Sequence, residues 1–92
     1  MIVGTLRITA SLPGVHSLKE KRRIVKGIKD RIHARFNVAI AEVDHQDVWQ
    51  TAEIGVAAVG NESRHLNSVL DTVLDAIRAS GVVVVQVERE VL

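Results

Sequence analysis

The chain has 92 residues, of which 47% are hydrophobic and 25% are charged, and its formal net charge is +1. This length allows a single domain, residues 1–92, and this composition excludes a disordered chain. The absence of cysteine excludes disulfides and thiolate metal sites. No apolar run approaches the roughly 18 residues that a membrane span needs, and the N-terminus lacks a signal-peptide core. We therefore expect a cytoplasmic protein with no membrane partner.

The small net charge hides a strong asymmetry along the chain. Residues 1–35 contain nine Lys and Arg residues and two acids, a net charge of +7, whereas residues 36–92 carry −6. Such an uneven distribution indicates that one surface of the protein faces an anion.

The first third of the chain predicts a strand followed by a helix. In IVGTLRITA, apolar and other residues alternate with the period of two that is typical of a β-strand. After the Pro-Gly turn, Ser17 and Glu20 form an S-x-x-E capping box, which predicts a helix from Leu18 to about Arg35. The buried side of this helix is predicted from its apolar residues, which are Leu18, Val25, Ile28 and Ile32.

The rest of the chain predicts a hairpin, a second helix and a last strand. VAIAEV and TAEIGVAAV read as two strands joined by the turn DHQDVWQ. Asn61 is the expected N-cap of a helix with apolar residues at a period of 3.6, and Gly81 is its expected C′ residue. VVVVQVERE then forms the fourth strand.

The element order βαββαβ predicts an α+β fold of the ferredoxin-like type. Right-handed crossovers place both helices on one face of a four-stranded antiparallel sheet, with the first and third strands at its centre. We expect Val83 and Val85 to face the helices, and Val82 and Val84 to lie on the open face with small residues such as Ala39, Ala41, Gly55 and Ala57. An apolar face of this extent is rarely left in water, so we expect a homodimer through it.

The predicted first helix carries most of the positive charge. On a helical wheel, Lys19, Arg22, Lys26, Lys29 and His33 lie along one flank with no acid between them, and Asp30 lies near Arg23. One interpretation is a solvated face, or a face neutralised by an acidic partner protein. The other is a surface that contacts phosphates, for which RNA is the expected polyanion. The predicted RNA-binding residues are Lys19, Lys21, Arg22, Arg23, Lys26, Lys29 and His33.

Other chemistry is weakly supported by the sequence. The chain has one Phe, one Trp and no Tyr, which excludes the aromatic sheet platform that many ferredoxin-like RNA-binding domains use. The hairpin concentrates Glu42, Asp44, His45 and Asp47, but side chains on a turn diverge, so we expect neither a metal site nor catalytic residues. Trp49 and Phe36 are expected to be packing residues.

Several longer stretches resemble the YlxP-like family, small bacterial proteins classed as a domain of unknown function. They are LPGVHSLKEKRR, RFNVAIAEVDHQDVWQTAEIGVAAVGN and SVLDTVL. The resemblance covers essentially the whole chain and implies a ferredoxin-like domain without catalytic residues. It also implies a genomic context beside translation and ribosome-maturation factors.

These observations predict a non-enzymatic accessory protein that docks on RNA or the ribosome through its basic helix, with no cofactor. The alternative is a dimeric regulatory module like an ACT domain, which has the same element order and binds a small ligand.

Overall fold

The computed structural model describes all residues, 1–92, and confirms the predicted element order. The elements are β1 (Ile2–Ser11), α1 (Leu18–Arg35), β2 (Ala39–Asp44), β3 (Thr51–Gly60), α2 (Ser63–Arg78) and β4 (Val83–Val91). Neither helix combines the length and the apolar composition that crossing a membrane requires.

The four strands form one antiparallel sheet in the order β2-β3-β1-β4. β1 and β3 are therefore the central strands, as predicted, and β2 and β4 are the edges. Both helices pack on one face of the sheet, which confirms the ferredoxin-like α+β fold. The opposite face has no layer over it.

The core lies between the sheet and the two helices. Leu6, Ile8 and Ile54 project from the central strands and are at most 1% exposed. They meet Ile28 of α1 and Leu70 of α2 in a cluster of 17 buried residues. Burial of a side chain of this size contributes about 1.5–3 kcal/mol to folding, so this cluster fixes how α1 lies on the sheet.

The start of α1 is set by a modified capping box. The Ser17 hydroxyl accepts a hydrogen bond from the Glu20 amide at 3.1 Å, as predicted. The Glu20 carboxylate accepts from the His16 amide at 3.4 Å, one residue before the expected donor. These bonds satisfy free amides of the first turn, and Glu20 suits the positive end of the helix dipole.

The first residues of β4 face the opposite way from the prediction. Val83 and Val85 lie on the open face and are 51% and 60% exposed, whereas Val82 is buried and Val84 packs against the core. The pairing of β1 with β4 shifts between Thr9 and Ala10, and Val85 is left without a partner. This bulge reverses the alternation, and a run of four valines has no polar residue that could reveal it.

The ends of α2 also differ slightly from the prediction. Glu62, not Asn61, is the N-cap residue, and its side chain makes no capping hydrogen bond. At the other end Ala79 is the C-cap, so Gly81 comes one residue later than expected. Its φ of 96° lies in the left-handed region, which is the conformation for which glycine was expected there.

Candidate nucleic-acid interface

A polar groove runs between α1 and the edge strand β2. Its volume is about 430 Å³. Four of the predicted RNA-binding residues line it together with two apolar side chains and two acids, and the full lining is Arg22, Val25, Lys26, Lys29, Asp30, His33, Ile40 and Glu42. We call this surface the basic groove.

The regular geometry of α1 aligns the basic side chains of the groove. Arg22, Lys26, Lys29 and His33 follow one another at intervals of four, three and four residues, which keeps them on one side of a helix. At 1.5 Å per residue, the distance along the axis from Arg22 to His33 is about 16 Å. Arg22, Lys26 and His33 are exposed and Lys29 is half-buried. The groove therefore presents a line of positive charge to solvent.

One acid lies inside this line, contrary to the prediction. Lys26 donates a hydrogen bond of 2.7 Å to the Asp30 carboxylate, four residues further along the helix. This bond raises the pKa of Lys26. The same bond lowers the pKa of Asp30, and the charges of Lys26, His33 and Lys29 lower it further. The wheel placed Asp30 near Arg23, but a flexible lysine at i−4 reaches the carboxylate.

Arg22 and Lys29 form no ion pair with an acid of the chain, and His33 has none as well. Lys19 and Arg23 are also exposed and unpaired, but they lie beside the basic groove and do not line it.

Lys21 is not available to bind RNA, which corrects the prediction. Its side chain is 1% exposed, and its ammonium lies 2.8 Å from the Glu42 carboxylate on β2. Glu42 Oε2 makes no hydrogen bond, so this ion pair is its polar contact. The ammonium also donates a hydrogen bond to the backbone carbonyl of His45, which accepts the Val48 amide too. Lys21 therefore fastens α1 to the β2–β3 hairpin.

The spacing of the buried residues could have revealed that Lys21 is buried, although not that its partner is Glu42. Lys21, Val25, Ile28 and Ile32 are the four buried positions of α1, at intervals of four, three and four. Leu18, which the prediction placed on the buried side, is only half-buried. The lysine thus occupies the first position of the buried side, where a charge requires a partner.

A second charged cluster lies on the other face of the sheet, where the strand alternation places Arg7 and Glu53. The Arg7 guanidinium contacts the Glu53 carboxylate at 3.0 Å and that of Asp44 at 3.9 Å. The hydrogen bond with Glu53 raises the pKa of Arg7, and it lowers the pKa of Glu53. Arg7 and Glu53 are the charged residues of the two central strands, but the alternation does not show that they pair with each other and with Asp44.

This cluster bears on the prediction that the side chains of the hairpin diverge and form no metal site. Ligand atoms of Asp44, His45 and Glu53 lie within 4.8 Å of one another, a set that could hold a divalent cation. A cation would have to compete there with Arg7, whose guanidinium already contacts both carboxylates. Trp49 is 49% exposed, so it is not the packing residue that the sequence predicted. Phe36 packs against the core, which confirms its predicted role.

Comparisons with known proteins agree with the fold and the resemblance. The de novo designed protein Foldit4 has a similar structure, with a TM-score of 0.54 over 99% of this chain and 94% of its own. Its sequence identity is 14%, so this similarity concerns the fold alone. A protein of Bacillus subtilis (strain 168) called "Uncharacterized protein YlxP" is 43% identical over 58 residues. The aligned part spans 63% of this chain and 63% of that relative's length.

The family comparison covers most of the chain. Residues 3–89 match the family described as "Protein of unknown function (DUF503)", and this description assigns the family no activity. The match includes both helices, all of β2 and β3, and all but the first residue of β1. The resemblance inferred from the sequence is confirmed, and the chain belongs to the DUF503 family.

Proposed function

We propose that this protein is a non-enzymatic, cytoplasmic accessory of the ribosome or of a ribosomal precursor, and that it binds RNA through the basic groove. The observation that carries this proposal is the line of Arg22, Lys29 and His33 along an exposed groove, none of them paired with an acid of the chain. Unpaired cations in a row are an electrostatic cost within one folded chain, and an external polyanion removes that cost.

The chemistry of the groove fits the RNA backbone. Lys and Arg contact phosphates as donors and as charges, and such contacts position a protein without reading the base sequence. The groove has no Phe, Tyr or Trp on which a base could stack. Binding by this surface is therefore recognition of charge and shape.

The expected salt dependence of binding follows from the number of Lys and Arg residues along this flank that have no acidic partner. Arg22 and Lys29 line the groove, and Lys19 continues the same flank of α1 three residues earlier; none of the three has an acidic partner. Lys26 is neutralised by Asp30 and Lys21 is buried, so neither adds to the count. At about −0.7 per phosphate contact, three contacts give a slope of about −2 in a plot of log affinity against log salt for single-stranded RNA.

Charge reversal in the groove tests this proposal. The variant Arg22→Glu with Lys29→Glu changes one exposed and one half-buried side chain and leaves the buried positions of α1 unchanged. The matched control, Arg64→Glu with Arg78→Glu, makes the same change in net charge on α2. Circular dichroism verifies that both variants are folded. Co-sedimentation with ribosomes at low salt should be lost in the groove variant and kept in the control.

Two results would contradict the proposal. The first is co-sedimentation of the folded groove variant at the wild-type level. The second is equal loss in both variants, which would show an effect of net charge without a site. Treatment of the ribosomes with ribonuclease should release the wild-type protein.

A further inference from the structure

The open face of the sheet contains the largest depression of the molecule, a trough of about 580 Å³. Its composition follows from the pairing register across the four strands. In one row Ala39 is next to Ala57, followed by Thr5 and Glu90, and in the next row Ala41 is next to Gly55, followed by Arg7 and Glu88. The β2–β3 half of the trough is therefore small and apolar, and the β1–β4 half is polar.

Gly55 has no side chain, so the bottom of the trough is low at this position and the Val43 side chain of β2 can lie over it. A Cβ atom at Gly55 would lie 2.8 Å from Cγ1 of Val43. Because that distance is shorter than real Cβ contacts, Val43 can occupy its position only over a glycine. Val43 thus forms the wall at the β2 side of the trough.

The charges of the open face are mainly negative. Arg7 is the one Lys or Arg side chain on it, and it is already bound to Glu53. Asp44, Glu88 and Glu90 add three further acids, so the face carries a net charge of about −3 with His45 neutral, by formal charges. This face is the opposite in sign from the basic groove, which lies on the helix side.

A second copy of the chain is a poor occupant of this trough. Four strands at about 4.8 Å and ten residues at about 3.3 Å give a face of roughly 600 Å² in projection, of which the apolar half is about 300 Å². A stable interface buries about 800 Å² of accessible surface per partner, and although accessible surface exceeds the projected area of a patch, the apolar half alone falls well short of it. A two-fold axis would also bring the acids of β4 against the same acids or against the apolar half of the other copy. The geometry therefore favours a smaller, basic partner over the predicted homodimer.

We propose that the trough binds a basic peptide segment of a partner protein, in an extended conformation with alternating basic and small apolar residues. Glu88 and Glu90 are two residues apart on one strand, a separation of about 6.6 Å, which is also the repeat between alternate residues of an extended peptide. Basic side chains of the segment pair with these carboxylates, and the small apolar side chains pack on Ala41, Gly55 and Ala57. Because the basic groove is on the other side of the sheet, RNA and the peptide bind at the same time.

The test uses fluorescence anisotropy with the full chain and a labelled ten-residue peptide of alternating Lys and Ala. Glu88→Lys with Glu90→Lys should weaken binding at least tenfold. The matched control is Glu62→Lys with Asp75→Lys, which replaces the exposed N-cap residue of α2 and one exposed acid of that helix. It makes the same change in net charge and should leave affinity within twofold of wild type. Ala57→Leu fills the apolar half without a change of charge and should also weaken binding at least tenfold.

The outcomes separate the peptide proposal from its alternatives. Equal loss in the control variant would show non-specific charge attraction and would overturn the proposal, as would unchanged binding by Ala57→Leu. Light scattering on the wild type should show a monomer at micromolar concentration. A dimer that Ala57→Leu dissociates would identify the trough as an interface between copies of this chain and would also overturn the proposal.

Discussion

Replacement of Lys21 by methionine should strongly destabilise this protein, although the side chain belongs to a basic segment that looks like surface. The side chain of Lys21 is 1% exposed and that of its partner Glu42 is 15% exposed. Methionine fills a similar volume, so the change removes the charge and the hydrogen bond to His45 and leaves the packing of the stem nearly intact. It also leaves the Glu42 carboxylate without its partner.

The magnitude follows from the burial of the pair. Removing one partner of a buried ion pair costs about 3–5 kcal/mol. Because Glu42 is slightly exposed and can rotate toward the basic groove, we expect the lower end, about 3 kcal/mol. For a domain of this size, 1 kcal/mol corresponds to a shift of about 4–8 °C in Tm, so Tm should fall by roughly 12–24 °C. That loss is a large part of the 5–15 kcal/mol that folded domains usually have.

The assay is a double-mutant cycle followed by urea denaturation. Lys21→Met and Glu42→Gln are measured singly and together, and Arg23→Met serves as the exposed control, which should change stability by less than about 0.5 kcal/mol. The double variant should lose at least about 1 kcal/mol less than the sum of the single losses, because the second change removes a charge that the first left unpaired. Additive losses, or a Tm within 2 °C of wild type for Lys21→Met, would refute the buried pair.

Three further predictions concern the groove, the helix start and the open face. Asp30→Asn should release Lys26 and strengthen RNA binding, with a salt slope steeper by about 0.7, and an unchanged slope would show that Lys26 contacts no phosphate. Ser17→Ala should lower the free energy of unfolding by about 1 kcal/mol in urea denaturation, and no loss would mean that its hydroxyl does not cap α1. Gly55→Ala should destabilise the protein by about 1 kcal/mol through its clash with Val43, whose β-branched side chain is stiff. Adding Val43→Ala to Gly55→Ala should restore the lost stability. A loss that persists in the double variant would place the strain elsewhere.

The parts of the fold that could be predicted are those with a clear periodicity. β1 alternates between core and surface, and α1 has a capping residue at Ser17 and buried apolar residues at helical spacing, so their bounds came out within a residue. The valine run of β4 shows the limit. Every position there is equally apolar, and the bulge at Val85 depends on its pairing with β1, which is distant in the sequence.

The candidate site was only partly predictable for a similar reason. The helical wheel grouped Arg22, Lys26, Lys29 and His33 correctly, because their relative positions depend on one helix alone. The helical spacing could have placed Lys21 on the buried side, but its ion pair depends on Glu42, which is 21 residues further along and belongs to another element. Charge partners across elements are a tertiary property, which a wheel does not contain.

The salt dependence of RNA binding tests the central claim most directly. Affinity for a single-stranded RNA is measured by filter binding between 50 and 200 mM salt, conditions over which counterion release dominates. For the wild type and for the control variant Arg64→Glu with Arg78→Glu, we expect a slope of about −2, and for Arg22→Glu with Lys29→Glu we expect no measurable binding. A wild-type slope near zero, or the same slope in the folded groove variant, would contradict RNA binding through α1.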